Sequence, residues 1–281
     1  MIIAIASGKG GTGKTTIAVN MALSLQEHRS VQVLDCDVEE PNAAIFLNPQ
    51  FSESEEISIP IPSVDNELCT LCGRCAQVCA FHAITVLGNH VLTFPELCHG
   101  CGGCMLFCPT GAITEKPQGI GMIESGLVQN IPFVQGRLHP GSTATSALIK
   151  EVRRRANDRD IVLIDAPPGS SCPVIASVAK TDFCLLVTEP TPFGLNDLTL
   201  AVEMVKALNV PLGVIINRAG VNDNIIKEYC DKNDIPILIS IPFDRQFAAC
   251  YAKGVPLVKA FPEWKRAFQE LWDNIERRLN A

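Results

Sequence analysis

The stretch that most restricts the fold of this chain is its first sixteen residues, "MIIAIASGKGGTGKTT". An apolar run, Ile2–Ala6, leads into a glycine-rich turn and then directly into an apolar-periodic helix expected from about Lys14 to His28. The turn, Gly8–Thr15, fits G-x-x-x-x-G-K-[ST] in the strand–turn–helix context that a phosphate-binding loop requires. Glycines at such a turn let successive backbone N–H groups point inward around an anion. The helix presents its positive dipole end to the same point. The candidate nucleotide-binding residues are therefore Gly8, Lys9, Gly10, Gly11, Thr12, Gly13, Lys14, Thr15 and Thr16. Lys14 would reach the β- and γ-phosphates of ATP, and the Thr15 hydroxyl would ligate Mg²⁺.

Further apolar runs continue the pattern: Val31–Asp35, 161–165, 183–188, 211–217 and 235–240. Helical stretches are expected between them, at about Ser142–Asn157, Asn196–Asn209, Asn224–Asn233 and Phe247–Ala252. Continuous apolar strands alternating with helices predict an α/β fold with a mainly parallel sheet covered by helices on both faces. The stretch from about 50 to 118 interrupts this rhythm with "SESEE", a proline-punctuated "IPIPS" and then dense cysteines. It reads as a small inserted α+β domain, residues 56–118, within an ATP-binding domain made of 1–55 and 119–281.

Lys9 adds a second lysine and turns the loop into K-G-G-x-x-K-[ST]. This form resembles the deviant phosphate loop of the MinD/Mrp/ParA/nitrogenase-iron-protein family of ATPases. The resemblance implies two subunits enclosing two nucleotides face to face, with Lys9 reaching the partner's phosphates. Lys9, Lys14 and Asp37 would then carry hydrolysis. "LDCDVEEPN" (34–42) is similar to the family's first switch, with Asp37 orienting the attacking water and Asp35 near Mg²⁺. "IVLIDAPPG" (161–169) resembles the second, with Asp165 at the metal. Asn217 and Arg218 of "VIINRAG" would lie at the adenine, and "IPFDRQFAACYAKGVPL" (241–257), with Pro242, Phe243 and Asp244, resembles the loop that closes over the base. Taken alone, an Asp ending a parallel strand is often only a helix cap. The order of these matches along the chain makes the set specific.

The sequence holds 13 cysteines. Eight lie in two runs of C-x₂-C-x₂-C-x₃-C, within Glu67–Thr85 and again within Glu96–Thr114. That spacing is found in bacterial iron–sulfur proteins; paired C-x₂-C zinc sites are the alternative. Across about 62–118 the chain resembles the two-cluster ferredoxins. By that resemblance Cys69, Cys72, Cys75 and Cys108 hold one [4Fe–4S] cluster, and Cys79, Cys98, Cys101 and Cys104 the second. Pro109 follows Cys108 as in that family, whereas Ala80 follows Cys79. His82 and His99 are expected beside the clusters or exposed. Two clusters would add about −4 to the formal charge. Cys172, seven residues after Asp165, reads first as a small buried residue starting a helix; resemblance to the nitrogenase iron protein implies the alternative, a site bridging a dimer, with His139 as the second ligand. Cys36, Cys184, Cys230 and Cys250 read as core residues.

The net charge of −7 argues against a nucleic-acid partner. No signal segment and no run of roughly 20 apolar residues is evident, which predicts a cytoplasmic protein. The closing stretch places Trp264, Phe268, Leu271, Trp272, Ile275 and Leu279 on one helical face. Its acidic and basic residues balance, so a packed closing helix is expected rather than a stable membrane anchor. The expected function is ATP-driven, nucleotide-dependent dimerisation coupled to electron transfer through two clusters to a partner protein, the dimer being a homodimer or formed with a paralogue. The alternatives are a cluster-assembly or carrier ATPase delivering to an acceptor, and a MinD-like positioning ATPase with structural or sensing clusters.

Overall fold

The apolar runs become strands, and most of their residues are inaccessible on both faces. The structure is a computed structural model and describes residues 1–158 and 160–280. The strands are β1 (Ile2–Ala6), β2 (Val31–Asp35), β3 (Gln50–Val64), β4 (Ile84–Leu87), β5 (His90–Thr93), β6 (Ile113–Val128), β7 (Ile131–Leu138), β8 (Ile161–Asp165), β9 (Phe183–Thr188), β10 (Leu212–Ala219) and β11 (Ile237–Pro242). Nine of them form one sheet in the order β11-β10-β9-β1-β8-β2-β7-β6-β3. From β11 to β7 all neighbours are parallel. Every residue of β2, β8 and β9 is buried, as a strand covered on both faces requires.

Helices Lys14–Leu25 and Trp264–Leu279 cover one face. Ile17, Met21, Phe268, Leu271, Trp272 and Ile275 pack there on Ile3, Ile5 and Phe133. Each of the large side chains contributes roughly 1.5–3 kcal/mol by leaving water. The amphipathic closing stretch is thus a structural helix seated on the body. Helices Cys172–Val178, Pro192–Ala207 and Asp223–Lys232 cover the opposite face. Thr145–Arg153 packs beside them on β2, β7 and β8. Among the described residues no helix is long and apolar enough to cross a membrane.

The polar stretch after residue 50 does not interrupt the sheet. It is β3, paired antiparallel with β6 from Gln50↔Leu127 to Val64↔Ile113. β7 pairs with β6 only over Gly121–Val128, so the far end of the β3/β6 ribbon runs on beyond the sheet. Ile57, Ile59 and Ile61 alternate inward, while Pro60 sits outward on an edge strand where no ladder N–H is needed. The expected boundaries at 56 and 118 both fall inside this ribbon. Residues 65–112 sit at its tip, with short helices Arg74–Val78 and Gly103–Leu106, the β4/β5 hairpin, and a small core of Cys75, Ile84 and Ile113.

Candidate functional site

Three acidic strand ends and the glycine loop meet at the carboxyl edge of the sheet, where parallel α/β sheets place their ligands. Gly11 and Gly13 have φ of 76° and 101°, the left-handed region that suits glycine. A Cβ on Gly13 would lie 2.4 Å from Asn217 Nδ2. The Lys14–Leu25 helix starts at once behind it. Thr15 Oγ1 donates to Asp165 Oδ2 at 2.6 Å. The other oxygen, Asp165 Oδ1, is buried with no hydrogen-bond partner. An unpartnered carboxylate oxygen beside a threonine hydroxyl is a hard-oxygen donor set suited to Mg²⁺ or its water.

Lys14 is buried, which lowers its pKa, against the pull of Asp165, Asp37 and Asp35. Burial raises Asp37 to about 6, against the charge of Lys14. Burial likewise raises Asp165, against its hydrogen bond from Thr15 and the nearby Lys14. Asp35 is held well above the carboxylate range by burial and then by Asp165. Asp35 Oδ1 accepts from Asp37 N at 3.1 Å, and Oδ2 accepts from Asn42 N at 3.1 Å and Ala43 N at 3.0 Å. Asp35 therefore pins the 36–42 loop and the start of helix Ala43–Leu47 through its backbone, with both oxygens engaged in those bonds.

A cavity of about 360 Å³ opens in front of these groups. Gly10, Gly11, Gly13, Lys14, Thr15 and Thr16 line its floor, with Asp37 to one side. Asn217, Arg218 and Pro242–Asp244 line the wall. Gly8 is outside it, its Cα pressed on the carbonyl of Asp197, where a Cβ would meet the oxygen at 2.3 Å. The far end is apolar, with Phe46, Phe247 and Tyr251. Phe46 and Tyr251 ring centroids are 4.8 Å apart. Phe247 and Tyr251, four apart on one helix face, lie in the stretch 241–257 expected to close over the base, whereas nothing marked Phe46.

Asn217 lines the cavity and also holds the loop beside it. Its Nδ2 donates to Thr12 O at 2.7 Å and so braces the phosphate loop. Lys9 Nζ lies 3.8 Å from Glu189 Oε2, and Arg218 Nη1 donates to Glu189 Oε1 at 2.9 Å. Glu189, just past β9, thus holds both cations through a side chain that is only 11% exposed. No motif marked it. The one available signal was its place at a strand's carboxyl end, like Asp35 and Asp165.

The eight clustered cysteines separate into two sets. Cys69, Cys72, Cys75 and Cys108 line one small cavity, and Cys79, Cys98, Cys101 and Cys104 line a second. Each run begins its helix in the same way: Gly73 (φ 74°, ψ 0°) precedes Arg74–Val78, and Gly102 (φ 70°, ψ −1°) precedes Gly103–Leu106. Backbone N–H groups already face sulfur, with Ala83 N donating to Cys79 Sγ at 3.2 Å and Gly100 N to Cys98 Sγ at 3.5 Å. Burial raises the thiol pKa of Cys75 and of Cys104. His99 stacks on Phe81 at 3.6 Å over the rim of the second cavity, and His82 is exposed. Among the described residues no three His, Cys, Asp or Glu side chains converge closely enough for a single metal ion. The donor set is soft sulfur, four thiols to each cavity, a chemistry open to iron–sulfur ligation or to zinc.

His139 pairs with Glu56 at 3.3 Å and lines a separate cavity beneath Cys98. Cys172 is exposed at the start of its helix and is not part of that cavity. Cys36, Cys184 and Cys230 are buried in the body, and Cys250 is half-buried.

A phosphate loop between a buried parallel strand and a helix, faced by a hydrogen-bonded threonine–aspartate pair, defines a P-loop nucleotide-binding protein. The chain belongs to the CobQ/CobB/MinD/ParA nucleotide-binding family, whose model matches residues 3–257, and is a P-loop ATPase of the MinD/ParA type. It is 31% identical to an uncharacterized protein of Methanocaldococcus jannaschii, over 98% of this chain and 96% of that one. An iron-sulfur cluster carrier protein of the same organism is 25% identical, over 98% and 84% of the two chains. The structure of the septum site-determining protein MinD complexed with Mg-ADP from Pyrococcus horikoshii superimposes with a TM-score of 0.61. It covers 98% of this chain and 95% of its own at 22% identity, a likeness of fold.

Proposed function

We propose that this ATPase couples a nucleotide-dependent dimer to electron transfer through two [4Fe–4S] clusters, one held by Cys69, Cys72, Cys75 and Cys108, the other by Cys79, Cys98, Cys101 and Cys104. The observation that carries the reading is the exchange of the fourth cysteine. Each cavity takes three thiols from one run and one from the other. Such closed four-thiolate sites retain a cluster and suit electron relay.

At the nucleotide, Lys14 and the loop N–H groups bind phosphate, while Thr15 and Asp165 hold Mg²⁺ and its water. Asp37 stands at the rim of the cavity, where it orients the attacking water. Phe46, Phe247 and Tyr251 offer an apolar seat for the base. Lys9, released from Glu189, is the cation available to a second subunit's phosphates, whether that subunit is identical or a paralogue. Bound clusters supply one-electron chemistry at low potential; the chain's part is to supply thiolates, the N–H donors that face them and the path to a partner.

A second reading has its own support. Relatives named iron-sulfur cluster carrier proteins align with nearly the whole chain, so the cysteine segment would then be a cluster store for an acceptor. Anaerobic purification with iron quantitation and EPR, with and without ATP, separates the two. About eight iron per chain retained on mixing with apo-acceptor, with spectra that respond to nucleotide, supports electron transfer. Iron lost to the acceptor supports delivery, and no iron at all sinks both.

A further inference from the structure

The nucleotide loop and the second thiol set are joined by a short run of contacts that no motif marks. The 36–42 loop carries Asp37 into the nucleotide cavity. Its next residues grip the far side of the sheet: Val38 O accepts from Leu138 N at 2.8 Å, and Glu39 Oε1 accepts from Thr145 Oγ1 at 2.9 Å. Gly136 lies so close to Val38 that a Cβ there would meet Cγ1 at 2.6 Å. Leu138 and Thr145 are the two ends of the turn 139–144. That turn closes on itself, with Ser142 N donating to His139 O at 3.0 Å, and Gly141 has φ +82° with nothing around it. From the turn, Thr143 Oγ1 donates to the carbonyl of Glu96 in the cysteine segment. Glu96 is two residues from Cys98, whose side chain packs on the same core as Leu138.

Beneath the turn is a cavity of about 280 Å³, lined by Glu96, Cys98, Gln118, His139 and Ser142 among others. The turn is therefore tied to the 36–42 loop at both ends and to Glu96 through Thr143, while His139 ties it to the ribbon by donating its N–H to Ile120 O at 2.9 Å and by pairing with Glu56; it still has space on the side facing Cys98. A loop that moves when Mg–nucleotide binds at Asp37 would pull on Thr145 and Leu138, and the turn would pass that shift to Glu96 and Cys98.

We propose that Thr145 and Thr143 are positioning residues through which the 36–42 loop sets the placement of Glu96–Cys98, and hence the surroundings of the second thiol set. This rests on the proposed reading in one respect only, that the thiols hold a cluster whose potential follows the N–H donors and solvent around it. The ribbon β3/β6 is the competing route, and it bypasses both hydroxyls.

The test compares the anaerobically purified full chain with its Thr145→Val, Thr143→Val, Thr145→Ser and Thr143→Ser variants. Each is loaded with Mg–ADP or with a non-hydrolysable Mg–ATP analogue. Hydrogen exchange over residues 94–101 and the midpoint potentials are then recorded. The original chain should show a difference of about fivefold or more in exchange between the two nucleotides. Both valine variants should lose that difference, along with the potential shift, while nucleotide affinity stays within about twofold, since neither threonine lines the nucleotide cavity. Both serine variants keep the hydroxyl and should retain it. An original chain with no difference, or valine variants that keep it in full, would overturn the proposal. Iron content is measured in the same samples: a chain without iron sinks the cluster reading, while the exchange comparison still decides the route.

Discussion

The contact between Gly13 and Asn217 gives a quantitative test of how the phosphate loop is held. Replacing Gly13 with Ala asks an L-residue to sit at φ 101°, which costs roughly 1–2 kcal/mol. The new Cβ would also stand 2.4 Å from Asn217 Nδ2, so the amide must swing away. That movement breaks its 2.7 Å hydrogen bond to Thr12 O, a further loss of about 1 kcal/mol. Gly13→Ala should therefore destabilise the nucleotide-free protein by about 2–3 kcal/mol. In an Asn217→Ala background the clash and the hydrogen bond are already gone. There the same substitution should cost only the backbone part, leaving a coupling of about 1 kcal/mol between the two sites. Urea unfolding of the four proteins, with matched m-values, reads this cycle. An equal cost of Gly13→Ala in both backgrounds would refute the claim that Asn217 braces the loop.

Other outcomes follow from the same geometry. Lys14→Ala should abolish ATP turnover and Asp37→Ala should lower it by roughly 10²-fold or more, measured by phosphate release; a rate that survives Asp37→Ala removes Asp37 from the mechanism. Glu189→Gln should release both Lys9 and Arg218, and the nucleotide-driven dimer, followed by analytical ultracentrifugation, should form at lower protein concentration; an unchanged dimerisation constant means the ion pairs hold nothing back. Asp37 must be ionised to orient the attacking water, and its pKa is raised to about 6. ATP turnover, measured by phosphate release, should thus fall as pH drops below about 6, by up to tenfold per unit. For stability the sign is reversed: a raised carboxylate pKa favours the folded chain below about pH 4, and that contribution is lost as pH rises through 6. Cys75→Ser and Cys104→Ser should each lose about four iron, from different clusters, so that the two EPR signals disappear separately.

The parallel strands were readable because burial on both faces leaves a continuous apolar run with no competing period. β1, β2, β8 and β9 occupy the stretches expected. β3 was not readable in the same way. An edge strand with one solvated face carries "SESEE" without penalty, and its inward alternation starts only at Ile57. Helix Ala43–Leu47 has five residues, too few to show a period. In the site, the loop glycines could be read because backbone geometry demands that residue type, and Asp165 was implied by the resemblance of 161–169 to the family's second switch. The division of the thiols was implied by the resemblance to two-cluster ferredoxins, and the two cavities group the same cysteines. Glu189 and the Asn217 brace could not be read, because both depend on which side chains distant elements bring together. Asp35 took the plainer of its two readings, holding backbone N–H groups at the start of a helix.

The pairing of Val64 with Ile113 has a consequence for how such a chain could arise. The two ends of the cysteine segment leave the ribbon side by side, so the sheet meets roughly 48 residues as one long hairpin loop. Loop-closure entropy grows only logarithmically, so even a disordered segment would cost the body about 3 kcal/mol more than a two-residue turn. The segment is in effect a cassette. A deletion joining Val64 to Ile113 through a short turn should still fold and bind ATP, read by circular dichroism and nucleotide titration; a chain that no longer folds would overturn this. Selection could therefore alter what the ATPase drives without rebuilding the engine, provided the turn at 139–144 finds something to hold.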